Sequence, residues 1–422
     1  MQLLTKKNLV PFILVTTMFF MWGLANNMTD TLLAAFKRIM SMTDFQTSWI
    51  QVAFYGSYFC LAIPAALLIR RFQYKAGILV GLGMFIAGAL LFYPASQTMV
   101  YGHFLAALFI LAGGLSVLET TANPYILVMG DEATAIRRLN LAQSFNPIGS
   151  ISGVVLSKLF ILSQLNKATE AERSTMSASE LATIQQAELA AVMGPYVGVA
   201  ILLLLIWIVI YMKKMPKGSD SEETPPFWQS VKRLTSNKHY LAGVLALFCN
   251  VGAQIGIWSF TIRYVMLELD MDESGASNYY LLGLVLFMVG RFIFTGLMAK
   301  FSAHKLLGYS AVVAIACLFV AILFNGIVGV IGLVMISGCM SLMFPTIFGL
   351  ASEGTGSDHK LAGSGLIMAI LGGAVLPPIQ GQLSDSFDSI KLSFIVPMLA
   401  FAIVAWYAFS QHRVAVRKLR GE

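Results

Sequence analysis

Long apolar runs, cut at intervals by short polar or charged segments, repeat along the whole chain. Many exceed 18 residues, the length that marks a membrane-crossing helix and is too long for the strands of a barrel. In lipid every backbone polar group must be satisfied inside its own segment, which a helix achieves. Turn and charge punctuation predicts twelve helices, near 9–36, 47–69, 76–95, 100–128, 139–163, 191–212, 239–267, 277–299, 305–325, 327–351, 361–383 and 390–411. The expected fold is an all-α polytopic membrane protein. Lys6 and Lys7 precede an apolar run too long for a signal peptide and without a small-residue cleavage site, so that run is read as the first helix.

Composition agrees. Of 422 residues, 57% are hydrophobic and 12% charged, about half the charge of a soluble domain. Too few ionic side chains remain to coat a water-exposed globule, which excludes a cytosolic enzyme, a disordered chain and a nucleic-acid-binding module. Cys60, Cys249, Cys317 and Cys339 lie inside apolar runs without metal-ligand spacing and read as small core residues. No cofactor motif, metal cluster or nucleophile set is visible, and the five histidines do not group.

The net charge of +7 is an orientation signal. With the N-terminus placed inside, twenty Lys and Arg residues fall on cytoplasmic segments and five (Lys37, Arg38, Lys167, Arg173, Lys391) on external ones. That bias follows the positive-inside rule and predicts both termini in the cytoplasm. The charged stretch 213–238, with Pro216, Pro225 and Pro226, reads as a linker between two bundles, 1–212 and 239–422. The external stretch 164–190 reads as a partly helical surface loop. Weak repeats at about half the chain length support duplication: Lys75 with Lys305, Pro124 with Pro345, and Gly149 with Gly372.

Polar residues inside the apolar runs are the candidates for chemistry. In the first helix Trp22, Asn26 and Asp30 form an i, i+4, i+8 stripe. An intramembrane carboxylate costs about 2.5–3.5 kcal/mol on insertion scales, so such groups usually line a cavity or carry protons. The alternative pairs Asp30 with Lys37 or Arg38 at the headgroups. Glu119 lies in mid-span with no basic residue within a turn, which makes it a candidate reversible proton carrier or else a permanently protonated structural group. Asn140, Gln143 and Asn146 recur at i+3, and Asn250, Gln254 and Trp258 at i+4. Amides beside an aromatic face suit a sugar ring, although interhelical amide bonding explains the same pattern. Arg291 reads as a structural or gating residue and Arg263 as one that snorkels to the outer surface.

The segments ANNMTD (25–30), LETTANPYI (118–126), RRLNLAQSFNPIG (137–149), GAQIGIWSFTIRY (252–264) and FPTIFGLA (344–351) together resemble the fucose–galactose–glucose:proton symporters. These form a branch of the major facilitator superfamily that includes the bacterial L-fucose:proton symporters. The loop motif of the wider superfamily is degenerate at 65–77, as is usual in this branch.

The resemblance implies two six-helix bundles and import of a hexose or deoxyhexose by alternating access. It implies proton coupling at Asp30 and Glu119, and sugar contacts at Asn27, Gln143, Asn146 and Phe344, alongside Gln254 and Trp258. Phe344 stands where the fucose-transporting members carry a tyrosine. Fucose, galactose, glucose and N-acetylglucosamine all remain open. It further implies a multi-pass protein of the bacterial inner membrane, working as a monomer in the bilayer, with protons as coupling ion and no other cofactor. A sodium-coupled carrier, a proton/drug antiporter, and a non-transporting sugar receptor or membrane enzyme are the rivals.

Overall fold

A computed structural model describes residues 3–4, 6–39, 44–98, 100–161, 166, 172–173, 175–216 and 225–420, without the side chains of 6, 29–39, 44–48, 51, 178, 190–192 and 411–420. Among the described residues all regular structure is helical. In chain order the α-helices are α1 (Lys6–Ile39), α2 (Asp44–Thr98), α3 (Tyr101–Val128), α4 (Ala135–Gln143), α5 (Asn146–Phe160), α6 (Ala178–Met212), α7 (Phe227–Ser236) and α8 (Lys238–Leu269). There follow α9 (Glu273–Leu297), α10 (Ala303–Leu323), α11 (Gly326–Met340), α12 (Met343–Ser352), α13 (His359–Met368), α14 (Gly372–Ser386), α15 (Ile390–Ser393) and α16 (Ile395–Arg420). Ten helical stretches among the described residues are long and apolar enough to cross a membrane.

The departures from the expected boundaries have local causes. Residues 47–69 and 76–95, expected as two helices, run together in α2, but Gln73 breaks its backbone at φ 69° and ψ 172°. The helix expected at 139–163 begins earlier and is interrupted between α4 and α5. Pro147 lies at the start of α5 and has no N–H to return to the Gln143 carbonyl. Pro345 similarly follows the junction of α11 and α12 and leaves the Ser341 carbonyl without its i+4 amide. The helix expected to begin at 191 begins at Ala178, where Ser177 and Glu180 form a capping box. Ahead of it the buried Arg173 pairs with Glu188, its Nη1 donating to Oε2 at 2.9 Å. The Glu188 carboxylate raises the Arg173 guanidinium above its ordinary pKa. The linker carries a helix of its own, α7, whose Arg233 donates twice to Asp358 at 2.7 Å. Cys249 is buried as expected; Cys60 is exposed and lies outside the core.

Contacts sort the chain into two compact units, residues 10–122 with 145–217, and residues 1–9 with 123–144 and 218–422. In the first unit α1 and α5 touch through glycine: a Cβ on Gly149 would lie 1.9 Å from the Phe20 carbonyl oxygen, and one on Gly23 2.1 Å from that of Asn146. In the second, a Cβ on Gly372 would lie 2.0 Å from the Phe248 carbonyl oxygen, and one on Gly252 2.7 Å from that of Gly372. Such close backbone approach is how membrane helices gain packing energy where no hydrophobic drive exists between them.

Candidate functional site

The first unit holds the carboxyl. Glu119 lies on α3, 3% exposed, with the buried Ser116 and Thr120 nearby in sequence. The Tyr58 hydroxyl from α2 donates to its Oε1 at 3.0 Å, and Tyr58 is itself buried. Among the described residues no cation is paired with Glu119, and the neutral Tyr58 hydroxyl is its hydrogen-bond partner. The Trp22 indole on α1 faces the same hydroxyl, and Phe54 stands beside the Tyr58 ring at 5.3 Å.

Asn26 presents a buried Oδ1 without a partner, whereas Asn27 Nδ2 donates to the Gly23 carbonyl at 3.2 Å. Asn146, at the start of α5, donates to the Phe19 carbonyl at 3.2 Å and is half-buried. Asp30 falls within α1, and its side chain lies outside the described residues.

The second unit holds a guanidinium and aromatic rings. Gln143 ends α4, is 4% exposed, and donates from Nε2 to Asn123 Oδ1 at 2.9 Å. The Asn123 Nδ2 is buried and unpartnered. The carbonyl of Gln143, left free by Pro147, accepts from Arg291 Nη1 at 2.6 Å. Arg291 Nε donates at 2.7 Å to the Ser341 carbonyl, the one left free by Pro345. The Arg291 guanidinium stands 4.9 Å from the Phe287 ring centre, and Phe287 packs edge-on to Trp258 at 5.1 Å and 75°. Trp258 donates from Nε1 to Ser337 Oγ at 3.3 Å. Phe344 stacks on Phe348 at 6.4 Å, and Gln254 is half-buried one turn from Trp258.

The eight residues singled out from the sequence therefore fall into two sets. Asn27, Asp30, Glu119 and Asn146 belong to the first unit; Gln143, Gln254, Trp258 and Phe344 belong to the second. The shared face expected for Asn140, Gln143 and Asn146 is cut by the break, with Gln143 closing α4 and Asn146 opening α5. Asn140 is interhelical glue, donating to the Ile136 carbonyl and to Thr346 Oγ1 at 3.2 Å. Asn250 is wholly buried with neither amide atom bonded. Residues the sequence reading missed are Tyr58, Phe287 and, above all, the central place of Arg291. The signal for Arg291 was present: a lone cation in an apolar run, with two prolines elsewhere that each strand a carbonyl.

The sequence profile of the Major Facilitator Superfamily matches residues 12–373. The chain is 39% identical to an L-fucose-proton symporter of Haemophilus influenzae over 98% of its own length and 99% of the relative's. It is 35% identical to a glucose/galactose transporter of Brucella abortus, covering 93% and 92%. Among solved structures it resembles the transporter FucP crystallised in the outward conformation, with a TM-score of 0.91 and 38% identity over 96% of this chain and 99% of that one. A membrane-length helical fold, a profile match across most of the chain and full-length relatives agree: the chain belongs to the Major Facilitator Superfamily.

Proposed function

We propose that this protein is a proton-coupled monosaccharide symporter, importing a hexose or deoxyhexose of the L-fucose kind by alternating access. The observation that carries this reading is Glu119: a carboxyl 3% exposed, bonded to the Tyr58 hydroxyl, with no paired cation among the described residues. Such a group can bind and release a proton without breaking an ion pair, and intramembrane carboxyls of this kind mark proton routes. The full-length relatives named as an L-fucose-proton symporter and a glucose/galactose transporter support sugar as the cargo.

Counting α2 as two spans at the Gln73 break and α4 with α5 as one brings the ten apolar stretches to twelve. We take these as two six-helix bundles, 1–212 and 239–422, joined by 213–238, with both termini cytoplasmic. The lipid setting is a bacterial inner membrane, and the working unit is a monomer.

In this reading Glu119 loads a proton from outside, and Asp30 relays or gates it as the cavity turns inward. Asn27, Gln143, Asn146 and Gln254 hold hydroxyls, and Trp258 and Phe344 offer flat apolar faces to the ring. The drive is the proton, worth about 2.3 kcal/mol for one charge crossing 100 mV. Protons are the only coupling species required, and no other cofactor enters. The aromatic Phe344 lacks a hydroxyl, which favours a sugar that presents an apolar edge there.

The test is sugar-evoked pH change. Adding the cargo sugar to lightly buffered, de-energised vesicles should raise the external pH as protons enter with it. A sugar that enters without alkalinisation, or only when sodium is present, would remove the proton from the reading.

A further inference from the structure

The most demanding feature of the second unit is Arg291, a guanidinium 6% exposed inside an apolar helix. Its hydrogen-bond partners among the described residues are two carbonyls, and neither is an arbitrary one. The Gln143 oxygen is four residues before Pro147 and the Ser341 oxygen four before Pro345, so neither receives the i+4 amide of its own helix. A buried carbonyl without a donor is costly, and a buried cation without an acceptor more so. Arg291 satisfies both at 2.6 and 2.7 Å. Glycine at 290 permits it: a Cβ there would approach Ser341 Oγ to 2.7 Å, so α9 and the α11–α12 junction lie close enough for a planar fork to reach across.

We propose that Arg291 is a positioning residue for sugar recognition: one guanidinium fixes the Gln143 end of α4 and, through the Phe287 ring, the Trp258 indole. This rests on the symport reading, since it takes Gln143 and Trp258 as sugar contacts. The fork suits the site because Nε and Nη1 donate from two separate nitrogens to two carbonyls, whereas a lysine would have to bring one ammonium within reach of both. The arrangement also has a switching consequence. Gln143 lies 148 residues from Arg291, in the sequence of the first half, while Arg291, Ser341, Phe287 and Trp258 lie in that of the second. The amide and the aromatic therefore stand in register only while the 123–144 segment is seated on the second-half helices. Two neighbouring bonds share that seat: Arg137 Nε to the Thr295 carbonyl at 3.2 Å and Asn140 to Thr346. A sugar that binds the assembled pair favours the seated state by its differential affinity.

The experiment measures equilibrium binding of L-fucose, galactose, glucose and N-acetylglucosamine by calorimetry to the purified full chain in lipid nanodiscs, with a thermal midpoint for every variant. For the sugar that the wild type binds, Arg291→Met should weaken affinity about tenfold in folded protein, with Arg291→Lys recovering only part of it. Pro147→Ala, which returns an amide to compete for the Gln143 carbonyl, should weaken affinity by about threefold while leaving the fold intact. An arginine that served only the fold would lower the midpoint and leave the Kd of the folded fraction at the wild-type value. That result overturns the proposal. If Arg291→Met does not fold, Pro147→Ala decides: an unchanged Kd overturns it, and a weakened one supports it. A wild type that binds none of the four sugars brings down the symport reading itself, and the inference with it, and is distinguished by that control arm.

Discussion

The two units share a scaffold and differ in chemistry. In one, α1 meets α5 with Gly149 against the Phe20 carbonyl; in the other, α8 meets α14 with Gly372 against that of Phe248. The glycines are 223 positions apart and the phenylalanines 228, so the same backbone-to-backbone approach occurs twice at one half-length. The polar residues do not repeat. On the 221-residue offset of Pro124 and Pro345, Glu119 falls on Met340, which is buried and apolar. The first unit keeps a carboxyl bonded to a phenol; the second keeps a guanidinium beside an edge-on aromatic pair. What recurs is the constraint that is hardest to satisfy piecemeal, close helix approach, while the polar side chains differ.

The largest effect should follow from filling the shared close approach. Gly149→Leu and Gly372→Leu should each prevent accumulation of folded protein, because the backbone oxygens at 1.9 and 2.0 Å cannot give way as a flexible side chain would. The alanine versions should cost about 1–3 kcal/mol or more, the overpacking range, read as a fall in thermal midpoint in detergent. A wild-type midpoint for either would show that its half does not depend on the contact.

Next in size is the chemistry that does not repeat. Glu119→Gln keeps the shape and removes the titration, so uphill accumulation should vanish while sugar exchange between equal compartments survives. Met340→Glu should not restore coupling to that variant, because Met340 has a different set of neighbours. Asp30→Asn should suppress accumulation while some sugar binding remains, and unchanged accumulation would remove Asp30 from the proton route.

Smaller effects sharpen the picture. Phe344→Tyr adds one hydroxyl and should change the ratio of affinities between two hexoses by about tenfold at most, the scale of one modest hydrogen bond of about 0.5–1.5 kcal/mol. Arg233→Ala breaks the pair with Asp358, but the arginine is half exposed, so the thermal midpoint should fall only slightly. A larger loss would mean that α7 does more than rest on the second unit.

Much of this was legible in the sequence, for identifiable reasons. Spans are readable because lipid demands about 20 apolar residues per crossing, and Glu119 stands out because nothing in its run excuses a carboxyl. Gly149 and Gly372 could be aligned as repeats before their contacts were known. Arg291 was harder. Its acceptors are main-chain oxygens 50 and 148 residues away, and a pattern of side chains does not reveal a carbonyl unless the proline four residues later is read as its cause. Tyr58 was hidden among Phe54, Tyr55 and Phe59, where one aromatic resembles the next. The helix α7 was read as linker because ten residues are too few to show a long apolar period.

The most direct test of the central claim is uptake of labelled L-fucose, galactose, glucose and N-acetylglucosamine into proteoliposomes with an inward proton gradient. Uphill accumulation of at least one of them is expected, abolished by a protonophore and by Glu119→Gln. Accumulation indifferent to both, or no entry of any of the four, would contradict that claim.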